Sequence, residues 1–258
     1  MAKLSLAQLA QLSLESNLAF CRVMADDAWS DPCIHAFRAN LVDPMLNVVM
    51  DAKLDESNID VRIKAVIAFY QRQKVDWYWI VGPLSTPTTL AQHLLSHDFK
   101  LIEDYPSLYF DLHEAIPADA HTRLNIIEQN ADSDLRDWAI CLSESFHTSD
   151  QAESYRCLNL GLVDRGVLRH FVGYVDDQVA CAGTLFINED TVVLHNIATR
   201  PLFRRRGLAS MMTQYLMRHA QILGVQYCFL DAAGEAVGVY EKIGFRECAR
   251  SQLYSLKK

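Results

Sequence analysis

The chain has 258 residues, of which 50% are apolar and 22% are charged, and its formal net charge is −8. This length and composition suit a globular protein of one large or two small domains and exclude a disordered chain. The acidic balance argues against nucleic acid as the main partner, because binding phosphates requires a basic surface.

The first twenty residues are rich in leucine, but serine, glutamine and glutamate interrupt them. They contain no unbroken apolar core and no small-residue cleavage site, so we do not expect a signal peptide. No segment approaches the ~20 consecutive apolar residues that a membrane-spanning helix needs. The sequence therefore predicts a cytoplasmic protein without a membrane segment.

The N-terminal half carries the weaker pattern of elements. Apolar periodicity predicts helices at residues 59–73 and 88–97, and strands at residues 77–81 and 99–112. No glycine lies within residues 59–73, so this half lacks the arginine–glycine loop that is described below for the C-terminal half.

The periodic pattern lapses around Pro117, which is typical of a linker. We therefore predict two domains, at residues 1–115 and 116–258. The two halves end alike. Each ends with a strand, a helix, a phenylalanine (Phe99 or Phe245) directly after the helix, and a closing strand that contains tyrosine. This similarity indicates a degenerate internal repeat.

The elements of the C-terminal half follow one another closely. The predicted strands span residues 122–128, 168–175, 178–187, 191–199, 225–230 and 245–256, and the predicted helices span residues 131–145, 151–162, 208–223 and 235–243. Residues 131–134 are the expected cap of the first of these helices. The succession of strand, helix and strand from residue 191 to residue 230 predicts a parallel pair with a right-handed crossover.

Four arginines within seven residues precede the clearest predicted helix. They are Arg200, Arg204, Arg205 and Arg206, and Gly207-Leu208-Ala209 follows them. A positive cluster at a helix N-terminus indicates an anion site, because the first N–H groups of a helix lack partners and its dipole favours negative charge. The small residues let the backbone approach phosphate oxygens without a side-chain clash.

Two segments resemble the GCN5-related N-acetyltransferase (GNAT) superfamily. The first, ending in Arg204-Arg205-Arg206-Gly207-Leu208-Ala209, resembles its acyl-coenzyme-A loop, Arg/Gln-x-x-Gly-x-Gly/Ala. The second, residues 235–245, is similar to its Ala-x-x-Leu-Tyr-Glu-Lys-x-Gly-Phe segment. The resemblance implies an α/β (α+β) GNAT fold, in which helices flank a mixed, mostly antiparallel central sheet with a splayed parallel pair. With the internal repeat, it implies a tandem of two GNAT-like domains, of which the N-terminal one is degenerate.

The resemblance also implies an activity, the transfer of acetyl from acetyl-coenzyme A to a primary amine by direct attack, without a metal. The pantetheine arm of the coenzyme would insert beside residues 197–199. An N–H near Ile197 would stabilise the oxyanion that forms during attack. The residues implied in coenzyme binding are Ile197, Ala198, Thr199, Arg204, Arg205, Arg206, Gly207, Leu208, Ala209 and Ser210.

Tyr240 is the catalytic acid that the resemblance implies. A phenol with a pKa of about 10 keeps its proton at neutral pH and can pass it to the departing thiolate, whose thiol has a pKa of about 8.5. Ala233 departs from the pattern, because many relatives carry an asparagine there that touches the cofactor. Gly234 beside it allows the backbone to substitute for that contact.

His195 is the candidate base, and a structural role for this strand histidine is the alternative. The period of two along a strand predicts that His195 lies on the same face as Ile197 and Thr199. Some relatives that act on aryl-alkylamines use a histidine here as a base through water. The weaker candidates for the base are Glu144, Glu153 and Asp231.

Metal and redox sites are not expected. The seven cysteines are widely spaced and contain no Cys-x-x-Cys pair, which argues against a zinc site and a redox dithiol and favours a reducing compartment. His93 and His97 are four residues apart, but Leu94 follows His93 where a zinc protease has glutamate.

Two alternatives to acetyl transfer stay open. One is a catalytically silent regulatory module that binds coenzyme A. The other is an acyltransferase that uses a longer acyl donor. The expected partner is a small-molecule or peptide amine, neither nucleic acid nor membrane being expected. The sequence indicates neither the acceptor's identity nor the oligomeric state.

Overall fold

The computed structural model describes residues 3–39, 44–117, 124–130, 135–148, 151–163 and 166–257. The α-helices in these ranges are α1 (Leu6–Met24), α2 (Ile59–Gln73), α3 (Leu90–Ser96), α4 (Arg136–Ser145), α5 (Ala152–Val163), α6 (Leu208–Ile222) and α7 (Val237–Ile243). The strands are β1 (Asp27–Asp31), β2 (Ile34–Arg38), β3 (Val48–Met50), β4 (Tyr78–Val81), β5 (Phe99–Asp111), β6 (Asn125–Gln129), β7 (Leu168–Val175), β8 (Gln178–Asn188), β9 (Thr191–Thr199), β10 (Tyr227–Asp231) and β11 (Arg246–Leu256).

The chain divides into two compact units. The first contains Met1–Ser107, Asp231–Gly234 and Glu247–Lys258, and the second contains Leu108–Leu230 and Glu235–Arg246. The strand β5 begins in the first unit and ends in the second, and β10 contributes its last residue to the first. The domain boundary that the sequence predicts between residues 115 and 116 stays a prediction.

The sheet of the first unit has the strand order β1-β2-β3-β4-β11-β5. The pairs β1–β2, β2–β3 and β4–β11 are antiparallel, and β3–β4 is parallel. Aromatic side chains fill the core that this sheet shares with α2 and α3. Tyr70 stacks on Trp77 with ring centroids 4.3 Å apart, and its hydroxyl donates a hydrogen bond to the Phe37 carbonyl at 2.7 Å.

Helix α1 packs through Leu18 against Phe37, Val48 and Met50, which belong to a second core cluster of the first unit. A capping box fixes its start: the Ser5 hydroxyl accepts from the Gln8 N–H, and the Gln8 side chain accepts from the Ser5 N–H. Neither this helix nor the strands β1 to β3 were predicted from the sequence.

The sheet of the second unit has the strand order β10-β9-β8-β7-β6, with the end of β5 beside β10. β9 and β10 are parallel, as predicted, and β6 to β9 form successive antiparallel pairs. The predicted elements of this half are found within a few residues of their expected bounds, although the expected cap at residues 131–134 lies outside the described residues. The mixed, mostly antiparallel sheet with flanking helices is confirmed.

Candidate functional site

The parallel pairing of β9 with β10 is short. In the described strands it runs from Thr191 opposite Tyr227 to Val193 opposite Phe229, whereas β9 continues to Thr199. Beyond Val193 the edge of β9 that faces β10 therefore has no recorded partner in that strand. Extended backbone of this kind needs hydrogen-bond partners, and an extended ligand can supply them.

Thr199, at the end of this edge, carries an unsatisfied polar atom. Its Oγ1 is buried and finds no hydrogen-bond partner among the described residues. A buried hydroxyl without a partner costs free energy, which a ligand with a polar group can offset. Thr199 thus fits the polar, extended pantetheine arm that the resemblance implies beside residues 197–199.

A β-bulge interrupts β9 at Asn196, whose φ angle is 56°. Before the bulge His195 pairs with Thr184, and after it Ala198 pairs with Ala182. The bulge adds one residue to β9 and shifts the alternation of its side chains. Because directly paired residues share a face, His195 and Ala198 lie on one face of the sheet.

The prediction that His195 lies on the same face as Ile197 and Thr199 is therefore wrong. Ile197 lies on the opposite face, where its Cδ1 would be 3.0 Å from a Cβ atom placed on Gly183 and where Leu216 of α6 also packs. Thr199 follows Ile197 by two residues and shares that face. The bulge therefore places the candidate base on the face opposite to Ile197 and Thr199.

His195 lies on the same face as its strand partner Thr184. The Thr184 hydroxyl accepts a hydrogen bond from the Trp138 indole N–H of α4 at 3.1 Å and lies 3.0 Å from Nδ1 of His170. Burial lowers the pKa of the His195 imidazole to about 3, so the ring is neutral at physiological pH. A neutral ring with so low a pKa accepts protons poorly, which favours the structural alternative for His195.

The loop between β9 and α6 presents its positive charge to solvent. Arg204, Arg205, Arg206 and Gly207 are exposed. Gly207, with a φ of 77°, is the N-cap of α6, and no side chain among the described residues caps this helix end. The first N–H groups of α6, from Leu208 onward, therefore face the exposed loop without a side-chain partner, as an anion site requires.

Arg200 does not belong to this exposed group. Its guanidinium makes a two-pronged ion pair with Glu144, at 2.7 and 3.0 Å, and donates to the Val179 carbonyl at 2.9 Å. The pairing fixes the end of β9 to α4. Arg200 therefore acts as a structural link inside the second unit.

Arg204 and Arg206 are partly anchored by backbone groups. Arg204 donates to the carbonyl oxygens of Thr199 and Ser145, at 3.2 and 2.8 Å. Arg206 lies over the Phe203 ring, 5.3 Å from its centroid, and donates to a backbone carbonyl at 3.3 Å. These contacts orient the side chains while leaving both exposed, so their remaining N–H groups are available to an anion.

Tyr240 lies on α7 and is 7% exposed. Its ring packs edge-on against Phe245, with centroids 6.0 Å apart, and Gly244 ends the helix in a left-handed conformation with a φ of 110°. Burial raises the pKa of its hydroxyl to about 12, so the phenol keeps its proton at neutral pH. Within the described chain no hydrogen-bond partner engages this hydroxyl, which leaves its proton available.

The three weaker candidates for the base differ in their surroundings. Glu144 is held by Arg200. Glu153 is exposed, and hydrogen bonds from Arg156 lower its pKa to about 2, so it is a poor proton acceptor. Asp231 alone has a raised pKa, of about 6, because neighbouring atoms desolvate its carboxyl group.

The described residues contain neither a metal-binding cluster nor a helix that could span a membrane. Among the described residues, no group of three or more His, Cys, Asp or Glu side chains could hold a metal ion. His93 and His97 both contact Oδ1 of Asp60, at 3.0 and 2.9 Å. None of the seven cysteines forms a disulfide bond. No helix in the described ranges is long and apolar enough to cross a membrane.

Comparisons with known proteins bear on the same region. The family model described as acetyltransferase (GNAT) domain matches residues 167–247. The [ribosomal protein bS18]-alanine N-acetyltransferase of Salmonella typhimurium is 30% identical over 115 residues, which are 43% of this chain and 69% of that protein.

Two solved structures share the fold over nearly the whole chain. A GCN5-related N-acetyltransferase from Kribbella flavida covers 96% of this chain and 95% of its own, with a TM-score of 0.75 and 12% identity. A tandem GNAT protein from the clavulanic acid biosynthesis pathway covers 95% of this chain and 94% of its own, with a TM-score of 0.57 and 11% identity.

Proposed function

The chain belongs to the GNAT family of acyl-coenzyme-A-dependent acetyltransferases, and we propose that it transfers an acetyl group from acetyl-coenzyme A to a primary amine by direct attack. The observation that carries this proposal is the exposed arginine loop at the N-terminus of α6, which no side chain caps. The loop directly follows the part of β9 that lies beyond its recorded pairing with β10. The loop provides positive charge and backbone donors, and the edge provides a backbone template for an extended ligand.

Each group of predicted coenzyme-binding residues has a role in the proposal. Arg204 to Arg206 and the N–H groups of Gly207 to Ser210 hold the pyrophosphate. The backbone of Ile197 to Thr199 pairs with the pantetheine arm. The N–H of Ile197, next to the bulge, is proposed to stabilise the negative charge that develops on the thioester oxygen during attack.

Tyr240 is proposed as the general acid. Its high pKa keeps the phenol protonated, and its hydroxyl proton is not engaged by another described residue. It passes this proton to the coenzyme sulfur as the carbon–sulfur bond breaks, because the thiolate is otherwise the less stable leaving group at neutral pH. The presence of Tyr240 argues against a catalytically silent module.

The acceptor and the cellular location belong to the proposal. We favour a small-molecule amine, whereas the name of the Salmonella relative states that it acts on an alanine of a ribosomal protein. A peptide amine is therefore the second candidate. That the donor carries an acetyl group, and not a longer acyl chain, stays a prediction. The cytoplasmic location also stays a prediction.

Calorimetry with coenzyme A tests the anion site. We expect the double variant Arg205→Glu/Arg206→Glu to bind the coenzyme roughly tenfold to a hundredfold more weakly than the wild type, because charge-assisted hydrogen bonds are lost and like charges repel. The matched control is Lys64→Glu/Arg72→Glu, which reverses two exposed charges on α2. Equal affinities in the two double variants would contradict the assigned site.

Release of free thiol tests turnover. Acetyl-, butyryl- and octanoyl-coenzyme A are each incubated with a panel of small amines and with a peptide that begins with alanine. We expect thiol release that depends on an amine and is fastest with the acetyl donor. Tight coenzyme binding without thiol release for any acceptor would favour the regulatory module.

A further inference from the structure

The beginning of β5 is an exposed strand edge of the first unit. One side of β5 lies beside β11. On the other side β10 ends at Asp231, and the last hydrogen bond there joins the Ala232 N–H to the Pro106 carbonyl at 3.1 Å. The chain then enters a short 3-10 helix at Gly234. Within the part of the chain that the structure describes, no strand therefore adjoins residues 100–104 on this side.

The backbone of this edge directs hydrogen-bonding groups outward at every second residue. The Pro106 carbonyl and the N–H of Leu112 both bond to the segment on the β10 side. Successive residues of a strand direct their N–H and C=O groups to alternate sides, so those of Lys100, Ile102 and Asp104 also point away from β11. An edge with free N–H and C=O groups is a template on which another strand can pair.

The side chains at the centre of the edge are apolar. Leu101 is 47% exposed and Ile102 is 44% exposed. Proteins usually protect an edge strand with charges or proline at its centre, or they cover it with another element. The centre of this edge has no such protection among the described residues, which indicates that it pairs with another strand.

The charges at the two ends of the edge indicate which strand it pairs with. Lys100 precedes the apolar residues and Asp104 follows them. If two copies of the chain pair antiparallel about Ile102, each Lys100 lies opposite Asp104 of the other copy, because a two-fold axis relates the two edges. The Lys100 ammonium has no ion-pair partner among the described residues. Asp104 accepts from Arg250 at 2.8 Å, and a carboxylate can accept several hydrogen bonds.

We propose that residues 100–104 pair with the same residues of a second copy of the chain, antiparallel and centred on Ile102. About six backbone hydrogen bonds join the two edges in this arrangement. The two Ile102 side chains meet at the two-fold axis, and each Lys100 pairs with Asp104 of the other copy. The paired segment is short, so the dimer is reversible. The inference goes beyond the proposed function, and its tests require neither coenzyme nor acceptor.

Analytical ultracentrifugation of the whole chain tests the dimer. The monomer has a mass of 29.3 kDa, and we expect the average mass to rise towards twice this value as the protein concentration increases through the micromolar range. Ile102→Lys places two ammonium groups at the two-fold axis and should stay a monomer. Its control is Val61→Lys, at a position of α2 that is 71% exposed, which should dimerise like the wild type. A wild type that is monomeric throughout would overturn the inference, as would wild-type dimerisation of Ile102→Lys.

Two charge reversals test the antiparallel register. Lys100→Asp and Asp104→Lys each place like charges opposite each other at both ends of the junction, and each should raise the dissociation constant about tenfold or more. An equimolar mixture of the two variants should recover the dimer, because every facing pair is then of opposite charge. Recovery also shows that both variants fold. Lys64→Asp, on α2, changes the net charge as Lys100→Asp does and should dimerise like the wild type. Failure of the mixture to dimerise would overturn the inference.

Amide hydrogen exchange, followed by NMR at low and high protein concentration, identifies the surface through which the copies associate. We expect the amides of Ile102 and Asp104 to become protected as the dimer forms, whereas those of Leu101 and Glu103, which point towards β11, should not change. A dimer in which the amides of Ile102 and Asp104 exchange as fast as in the monomer would form through another surface and would overturn the inference.

Discussion

Gly183 of β8 lies directly against Ile197 of β9, so that a methyl group on Gly183 would come within 3.0 Å of the Ile197 Cδ1 atom. The same methyl group would lie 2.8 Å from Leu216 and 3.0 Å from Met212, both on α6. The absence of a side chain at Gly183 therefore lets α6 approach the bulged part of β9. This approach fixes the position of the helix whose N-terminus is the proposed anion site.

Gly183→Ala should lower the free energy of unfolding by about 1–3 kcal/mol, because the side chains of Ile197, Leu216 and Met212 must move apart. Urea denaturation measures the loss. The control is Gly161→Ala in α5, where a Cβ atom meets nothing within 4 Å, and it should raise stability by up to about 1 kcal/mol through helix propensity. A stability for Gly183→Ala equal to the wild type would show that the packing is looser than described.

Tyr240→Phe should lower kcat by about a hundredfold or more while leaving coenzyme affinity nearly unchanged, because it removes the proton donor and keeps the ring packing. Thiol release and calorimetry measure the two effects. The pKa of about 12 also predicts that the wild-type rate does not fall through loss of the Tyr240 proton below about pH 11. Tyr215→Phe, on α6, is the matched control and should retain full activity. Equal rates in both variants would remove Tyr240 from the mechanism.

Gly207→Ala and Gly224→Ala form a second matched pair, at opposite ends of α6. Both glycines have a positive φ, of 77° and 78°, and in both a Cβ atom meets nothing within 4 Å. Each substitution should cost about 1 kcal/mol of stability, because alanine is strained in this conformation. Only Gly207→Ala should weaken coenzyme A binding, since only Gly207 adjoins the arginine loop. Equal coenzyme affinities would argue that the helix N-terminus does not contact the phosphates.

Acid should destabilise the fold through His170. Burial lowers the pKa of this fully buried imidazole to about 3, whereas in the unfolded chain it is about 6.5. Between these values the unfolded state binds the extra proton, so stability is greatest above pH 6.5 and falls as the pH decreases towards 3. Over this range the contribution of His170 to the free energy of unfolding changes by about 1.4 kcal/mol per pH unit. Urea titrations from pH 7 to pH 5 should show a shallower slope for His170→Phe, and an unchanged slope would contradict the assignment.

The second unit could be predicted from the sequence because its elements obey local rules. Helix α6 has a clear apolar stripe, and the strands β7 to β9 are bounded by turn residues. The side of the sheet on which His195 lies could not be predicted. It depends on one added residue at Asn196, and neither composition nor alternation signals a bulge within an apolar strand.

The first unit was harder to predict for a different reason. Strands β1 and β3 are short, and polar residues interrupt β1, so they carry little alternation. Helix α1 did have a signal, the Ser-x-x-Gln capping box at Ser5 and Gln8, which the uneven leucine spacing obscured.

The pairing of the strand β11 determines how the two halves of this protein should behave when they are expressed separately. It is the C-terminal strand of the chain, yet it pairs with β4 of the N-terminal half, from Val81 opposite Gln252 to Tyr78 opposite Ser255. A fragment cut at the linker would leave the edge of β4 bare and prone to self-association. Neither half should therefore express as a soluble, folded fragment. Co-expression of the two fragments should restore the pairing of β11 with β4 between them.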